Sequence, residues 1–189
     1  FESSGIKMLA IGTIVLLTWI NIQGAKKGGY LNNIVAGAKI TGILLLIIMG
    51  LSYHGLPEHE KIVQSISNTH TNLFSAIIVA MLSAFWAYDG WYCIGFISGE
   101  IKNPKKNIPL SIISGIGISM VLYMLLNYAF MNVMPLNALA KIDENDIAGL
   151  EVARILSGNV GAMFISVLIA VSTFGTLNAT IITYPSFYY

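Results

Sequence analysis

The chain has 189 residues, 56% of them hydrophobic and only 10% charged, with a net charge of +1 and a mean hydropathy of +0.74. A soluble domain carries about 25% charged residues, so a water-covered surface is excluded and lipid must cover much of this one. The near-zero net charge excludes nucleic acid, which needs a basic patch. The single cysteine, Cys93, allows no internal disulfide and reads as a small packing residue.

Five apolar stretches have the length of membrane spans, at about 20 residues each. They run over 8–22, 34–53, 73–97, 109–134 and 160–184. Gly5 and Ile6 can extend the first. None alternates apolar and polar residues as spanning strands do, so the predicted fold is an all-α polytopic membrane helix bundle, a single transmembrane domain over 1–189. No secretory signal is visible. The chain lacks an initiator methionine and stops inside an apolar segment at Tyr189, so it reads as a piece cut at both ends.

The connections give a direction. Lys26 and Lys27 lie in 23–33; Lys102, Lys105 and Lys106 lie in 98–108, opposed only by Glu100. The connection after the second span holds Glu58, Glu60 and Lys61. The one after the fourth holds Lys141, Asp143, Glu144, Asp146, Glu151 and Arg154. The positive-inside rule places 23–33 and 98–108 in the cytoplasm, and an alternating path satisfies both. Asn103-Pro104 reads as a turn and Pro109 as the start of the fourth span. Segment 137–157 reads as a short amphipathic helix with Ile147, Leu150, Ala153 and Ile155 toward the membrane.

The third span carries the chemistry. It reads Phe85-Trp86-Ala87-Tyr88-Asp89-Gly90-Trp91. Asp-Gly is a turn dipeptide, and here it stands deep in an apolar run. A break would free backbone amides and carbonyls, which membrane depth tolerates only inside protein or around a cavity, and transporters use such breaks to hold charged substrate groups. The other reading is an unbroken helix with Asp89 facing a polar neighbour. In the second span, Lys39 lies about 10 Å from the cytoplasmic end. Either its stem snorkels to the headgroups, or its ammonium meets Asp89, which lies at a similar depth about 15 Å from the same interface. In the fifth span, Thr173, Thr176, Thr180 and Thr183 share one helical face. They line a cavity, or else they bond their own helix or pack helices together. Asn178 lies off that face and is expected to bond a neighbouring helix.

Other signals carry nothing. Asn178-Ala179-Thr180 matches a glycosylation acceptor but lies inside a span. Gly95 and Gly99 suit helix packing. His54, His59 and His70 show no metal-ligand pattern. Gly115-Ile116-Gly117 follows no strand, so no nucleotide site or other cofactor is expected. Asp89 is the only carboxylate inside a span, against the two an aspartyl protease needs, and no histidine lies in a span to serve a serine nucleophile. No enzyme is expected, and nothing resembles a channel filter.

Phe85–Trp91, followed by Gly99-Glu100-Ile101-Lys102-Asn103-Pro104-Lys105-Lys106-Asn107-Ile108-Pro109, resembles the sixth helix of the amino acid–polyamine–organocation superfamily and the segment after it. Within that superfamily the similarity is to the L-type amino acid transporters and the bacterial serine/threonine and alanine exchangers. Ala36-Gly37-Ala38-Lys39 resembles their fifth helix and Phe174–Thr180 their eighth. The resemblance implies helices four to eight of a twelve-helix inverted-repeat fold in which helix six is broken, with helix one as a partner outside this chain. It implies that Trp86 gates the substrate, that carbonyls of Trp86, Ala87 and Asp89 accept its amino group near Tyr88 and Gly90, and that Thr176 and Thr180 border the pocket. Lys39 would occupy an ion position of sodium-coupled relatives. Tyr92 and Ser186 depart from the family's usual residues, an asparagine and a basic residue respectively. The implied function is a sodium-independent exchanger of small neutral amino acids in the plasma membrane; the alternatives are a proton-coupled amino acid or amine permease and a non-transporting structural subunit. The sequence identifies no partner subunit.

Overall fold

The computed structural model describes residues 3–22, 25–54, 73–143 and 146–185. Glu58, His59, Glu60, Lys61, His70, Glu144, Ser186 and Tyr189 lie outside the described residues. The described chain forms helices α1 (Ser3–Ile22), α2 (Ala25–Leu51), α3 (Leu73–Ala87), α4 (Pro104–Val133), α5 (Leu136–Leu139) and α6 (Ala148–Thr183). Short 3-10 turns at Trp91–Gly95 and Ser98–Glu100 lie between α3 and α4, and no strand is present among the described residues. Five segments are long and apolar enough to cross a membrane: Ser4–Ile22, Gly28–Leu51, Leu73–Gly95, Pro104–Val133 and Ala148–Thr183. The protein is an all-α, polytopic, integral membrane helix bundle.

The lysine-rich connections are shorter than their composition implies. α2 begins at Ala25, so most of 23–33 is helical. Two successive glycines, Gly28 and Gly29, cost a helix about 1 kcal/mol each. Tertiary contact offsets this, because Gly28 is buried beneath Asn21 and Ile182 and its carbonyl accepts a hydrogen bond from Asn178. α4 begins at Pro104 rather than Pro109. Asn103 adopts a left-handed conformation (φ 50°), and its carbonyl accepts from the amides of Lys106 and Asn107 at 3.0 Å. Pro104 thus takes the first helical position, where no N–H is needed, and Pro109 lies inside the helix.

The amphipathic arm and the fifth span join in α6, with non-helical backbone at Ser157 and Gly158 (φ 62°) marking the corner between them. The arm's expected facing is only partly realised. Ala153 is buried and Leu150 packs on the core, while Ile147 and Ile155 stay exposed. Glu151 and Arg154 form an exposed ion pair at 2.7 Å.

α2 is the centre of the bundle and packs on α6, α4 and α1. Leu46 meets Ala153 and Ile165 in a core closed by Leu126, Phe130, Leu150, Leu156 and Leu168. α1 and α6 run opposite to α2 and α4: Asn21 and Asn178 meet the start of α2, and Asn132 of α4 meets its end. Broad apolar faces stay open on α1 and α3, as at Met8, Leu9, Trp19, Phe74 and Leu82. Such faces suit lipid or further membrane helices, because no hydrophobic penalty attaches to them in hydrocarbon.

Candidate functional site: a broken helix beside α4

The third span breaks where Asp-Gly stands. α3 ends at Ala87, and the chain tightens as the Asp89 amide donates to the Trp86 carbonyl at 3.3 Å. Gly90 then takes φ 93° and ψ −5°. This left-handed conformation costs a residue with a Cβ about 1–2 kcal/mol, and glycine avoids that cost. Its carbonyl accepts from the Cys93 amide at 3.1 Å, starting the 3-10 turn.

The break removes the i+4 partners of several carbonyls. The Trp86 carbonyl is taken by the Asp89 amide. The Ala87 carbonyl accepts a hydrogen bond from the Tyr123 hydroxyl of α4 at 3.1 Å. The rings of Tyr88 and Tyr123 meet edge to face, centroids 5.4 Å apart. Among the described residues no group donates to the Asp89 carbonyl.

Between the break and α4 lies a cleft of about 320 Å³. Ala87, Tyr88, Asp89 and Trp91 line it from one side; Ser111, Gly115, Ser119 and Tyr123 line it from the other. The α4 residues recur every four positions and so share one helical face. Sequence reading missed this face, although small and polar residues at that spacing inside an apolar run were the signal.

The expected site residues fall into two groups. Ala87, Tyr88 and Asp89 line the cleft with Gly90 at the turn beside them. Trp86 does not line it and is 85% exposed. Lys39, Thr176 and Thr180 lie elsewhere, on the faces of α2 and α6. The Lys39 ammonium donates to the Thr176 hydroxyl at 3.4 Å. Thr173, Thr176, Thr180 and Thr183 each donate to the carbonyl four residues back, at 2.7–3.0 Å. Lys39 and Asp89 form no ion pair among the described residues. Matching their depths left their directions open: Lys39 projects from the α2 face that meets α6, whereas Asp89 sits on the α4 side of the break.

Asn178 bonds neighbouring helices as expected. It is fully buried, accepts from the Asn21 amide at 2.9 Å and donates to the Gly28 carbonyl at 3.1 Å. The described residues include no cluster of His, Cys, Asp and Glu able to hold a metal ion, and the His54 Nδ1 lies 2.7 Å from the Ser52 carbonyl oxygen.

Five apolar helices, one of them broken with a cleft beside the break, define a polytopic membrane protein. Residues 3–189 match the family described as amino acid permease, and the chain belongs to that family. The chain is 33% identical over 179 residues to the serine/threonine exchanger SteT of Bacillus subtilis, covering 95% of this chain and 39% of that protein. It is 30% identical over 178 residues to the b(0,+)-type amino acid transporter 1 of Mus musculus, covering 94% of this chain and 36% of the relative. It is 27% identical over 183 residues to the large neutral amino acids transporter small subunit 2 of Homo sapiens, covering 95% and 33%. The chain thus spans between a third and two fifths of the length of these relatives.

Proposed function

We propose that this chain forms part of a secondary active transporter of amino acids, a sodium-independent exchanger of small neutral ones. The observation that carries the proposal is the break at Gly90, which leaves the Asp89 carbonyl without a donor among the described residues, beside a cleft of mixed polar and apolar lining in a family of amino acid permeases. A substrate ammonium needs acceptors oriented toward it, and carbonyls fixed by the fold supply them without reorganising. The relatives are named for serine/threonine exchange and for amino acid transport, which supports the same substrate class. The proposed roles are the Asp89 carbonyl as main acceptor, the Trp86 and Ala87 carbonyls at the edge of the site, Tyr88 and Gly90 shaping its wall, and the Trp86 ring as gate. Thr176 and Thr180 border the pocket from α6. The Lys39 ammonium fills with fixed charge a place where a sodium ion would otherwise bind.

The working unit includes helices beyond this chain, with the other half of the substrate site on one of them. The setting is the plasma membrane, with Lys26, Lys27, Lys102, Lys105 and Lys106 on the cytoplasmic side. A proton-coupled amino acid or amine permease is the second reading, favoured by Asp89, a carboxylate at the break of the third span.

Counterflow in proteoliposomes holding the complete protein tests the proposal. Vesicles loaded with unlabelled amino acids are offered labelled serine, alanine or leucine, with and without sodium. Sodium-independent accumulation that needs internal amino acid, and that vanishes in Trp86→Ala, is the expected result. Uptake without internal substrate would move the assignment to proton coupling or facilitated entry, and no uptake of any amino acid would move it to an amine permease or a structural subunit.

A further inference from the structure

The two groups of site residues sit on different helix pairs. The break and Tyr123 belong to α3 and α4; Lys39 and Thr176 belong to α2 and α6. Their relative placement depends chiefly on the joint between α2 and α4. That joint is tightest where both helices end. A Cβ on Gly50 would lie 2.9 Å from the Ala129 Cβ and 3.2 Å from its carbonyl oxygen, so the backbones approach as closely as glycine permits. Ala129 is fully buried there.

Three residues further along α4, the Asn132 side-chain amide donates to the Gly50 carbonyl at 2.8 Å and the Tyr53 carbonyl at 2.9 Å. Carbonyls at a helix C-terminus have no intrahelical donor, and the Tyr53 amide reaches Gly50 only at 3.4 Å. One carboxamide of α4 therefore serves a weakly bonded carbonyl in the last turn of α2 and a second carbonyl two residues beyond its end. The opposite end of α2 is held by another carboxamide, that of Asn178, which ties the Gly28 carbonyl to α6 and α1. α2 is thus clasped at its two ends to different partners.

We propose that Asn132 is a positioning residue for transport. By clasping the end of α2 to α4 it sets the height of the broken helix against the Lys39–Thr176 pair. Asn132 stands nine residues beyond Tyr123 on one continuous helix, about 13 Å along its axis. A shift of the clasped end is carried through α4 to Tyr123, and so to the Ala87 carbonyl that Tyr123 holds. The functional half of this inference rests on the transport reading above; the mechanical half does not.

The test uses the complete protein with Asn132→Leu, which keeps bulk, adds no charge and removes both donors. Hydrogen–deuterium exchange of amides 88–95 and the KM for amino acid exchange are measured side by side. Exchange at 88–95 is expected to quicken about tenfold, and KM to rise about tenfold with Vmax retained, the scale of one to two lost hydrogen bonds. Faster exchange confined to 50–54 with unchanged KM would make Asn132 a local end cap and overturn the proposal. If Asn132→Leu does not fold, Gly50→Ala spreads the same joint from the other side and must give the same two changes. If the unaltered protein exchanges no amino acid, the transport reading fails, and the hydrogen-exchange measurement still decides the clasp.

Discussion

Tyr123 is a residue by which α4 holds the break. Its hydroxyl holds the Ala87 carbonyl and its ring meets that of Tyr88. Tyr123→Phe keeps the ring contact and removes the hydrogen bond, at a cost near 1 kcal/mol. Amino acid exchange in proteoliposomes is expected to fall about fivefold with helix content by circular dichroism unchanged. Thr176 has a double role, donating to the Ser172 carbonyl and accepting from Lys39. Thr176→Val keeps the shape and leaves the Lys39 ammonium without this acceptor, and an unpaired charge in a span is costly by about 2.5–3.5 kcal/mol on insertion scales. The expected outcome is a lower midpoint of thermal unfolding in detergent, with Thr173→Val, on a hydroxyl that bonds only its own helix among the described residues, as the near-silent comparison.

At the scale of the element, the third span is decided by one dihedral. Gly90 at φ 93° allows the chain to leave α3 and re-enter as a 3-10 turn. Gly90→Ala is expected to cost about 1–2 kcal/mol and, if the segment relieves the strain by becoming helical, to bury the Asp89 carbonyl in a new hydrogen bond. Slower hydrogen exchange at 91–95 together with lost transport would report that outcome. The Asp-Gly dipeptide made this break legible, because both residues disfavour a helix interior whatever surrounds them. The ends of α2 and α4 were less legible. Gly28 and Gly29 read as a loop until Asn178 and Asn21 close over Gly28, and Pro109 read as a helix start until Asn103 and Pro104 supply an earlier one.

At the scale of the molecule, the bundle is organised by α2, and the buried carboxamide of Asn178 joins α1, α2 and α6 at one end of it. Asn178→Leu removes the buried bridge between the Asn21 amide, which keeps only the Leu17 carbonyl among the described residues, and the Gly28 carbonyl, at about 1–2 kcal/mol for the two lost hydrogen bonds, measurable as a lower unfolding midpoint. The direction of the bundle is open to a simple check: a cysteine replacing Lys105 in the complete protein is expected to react with an impermeant thiol reagent only from the cytoplasmic side, with Cys93→Ser as background. What the sequence determined by itself was the solvent, the number of spans and the place of the break, since composition, apolar run length and Asp-Gly act through local chemistry that no neighbour can reverse. What only the tertiary structure decided was direction around each helix: that Lys39 meets Thr176 and not Asp89, that Trp86 stays out of the α4 cleft lining, and that Asn132 clasps the end of α2. Depth along a helix follows from counting residues, but which face meets which neighbour is set by how side chains from distant parts of the chain pack against one another.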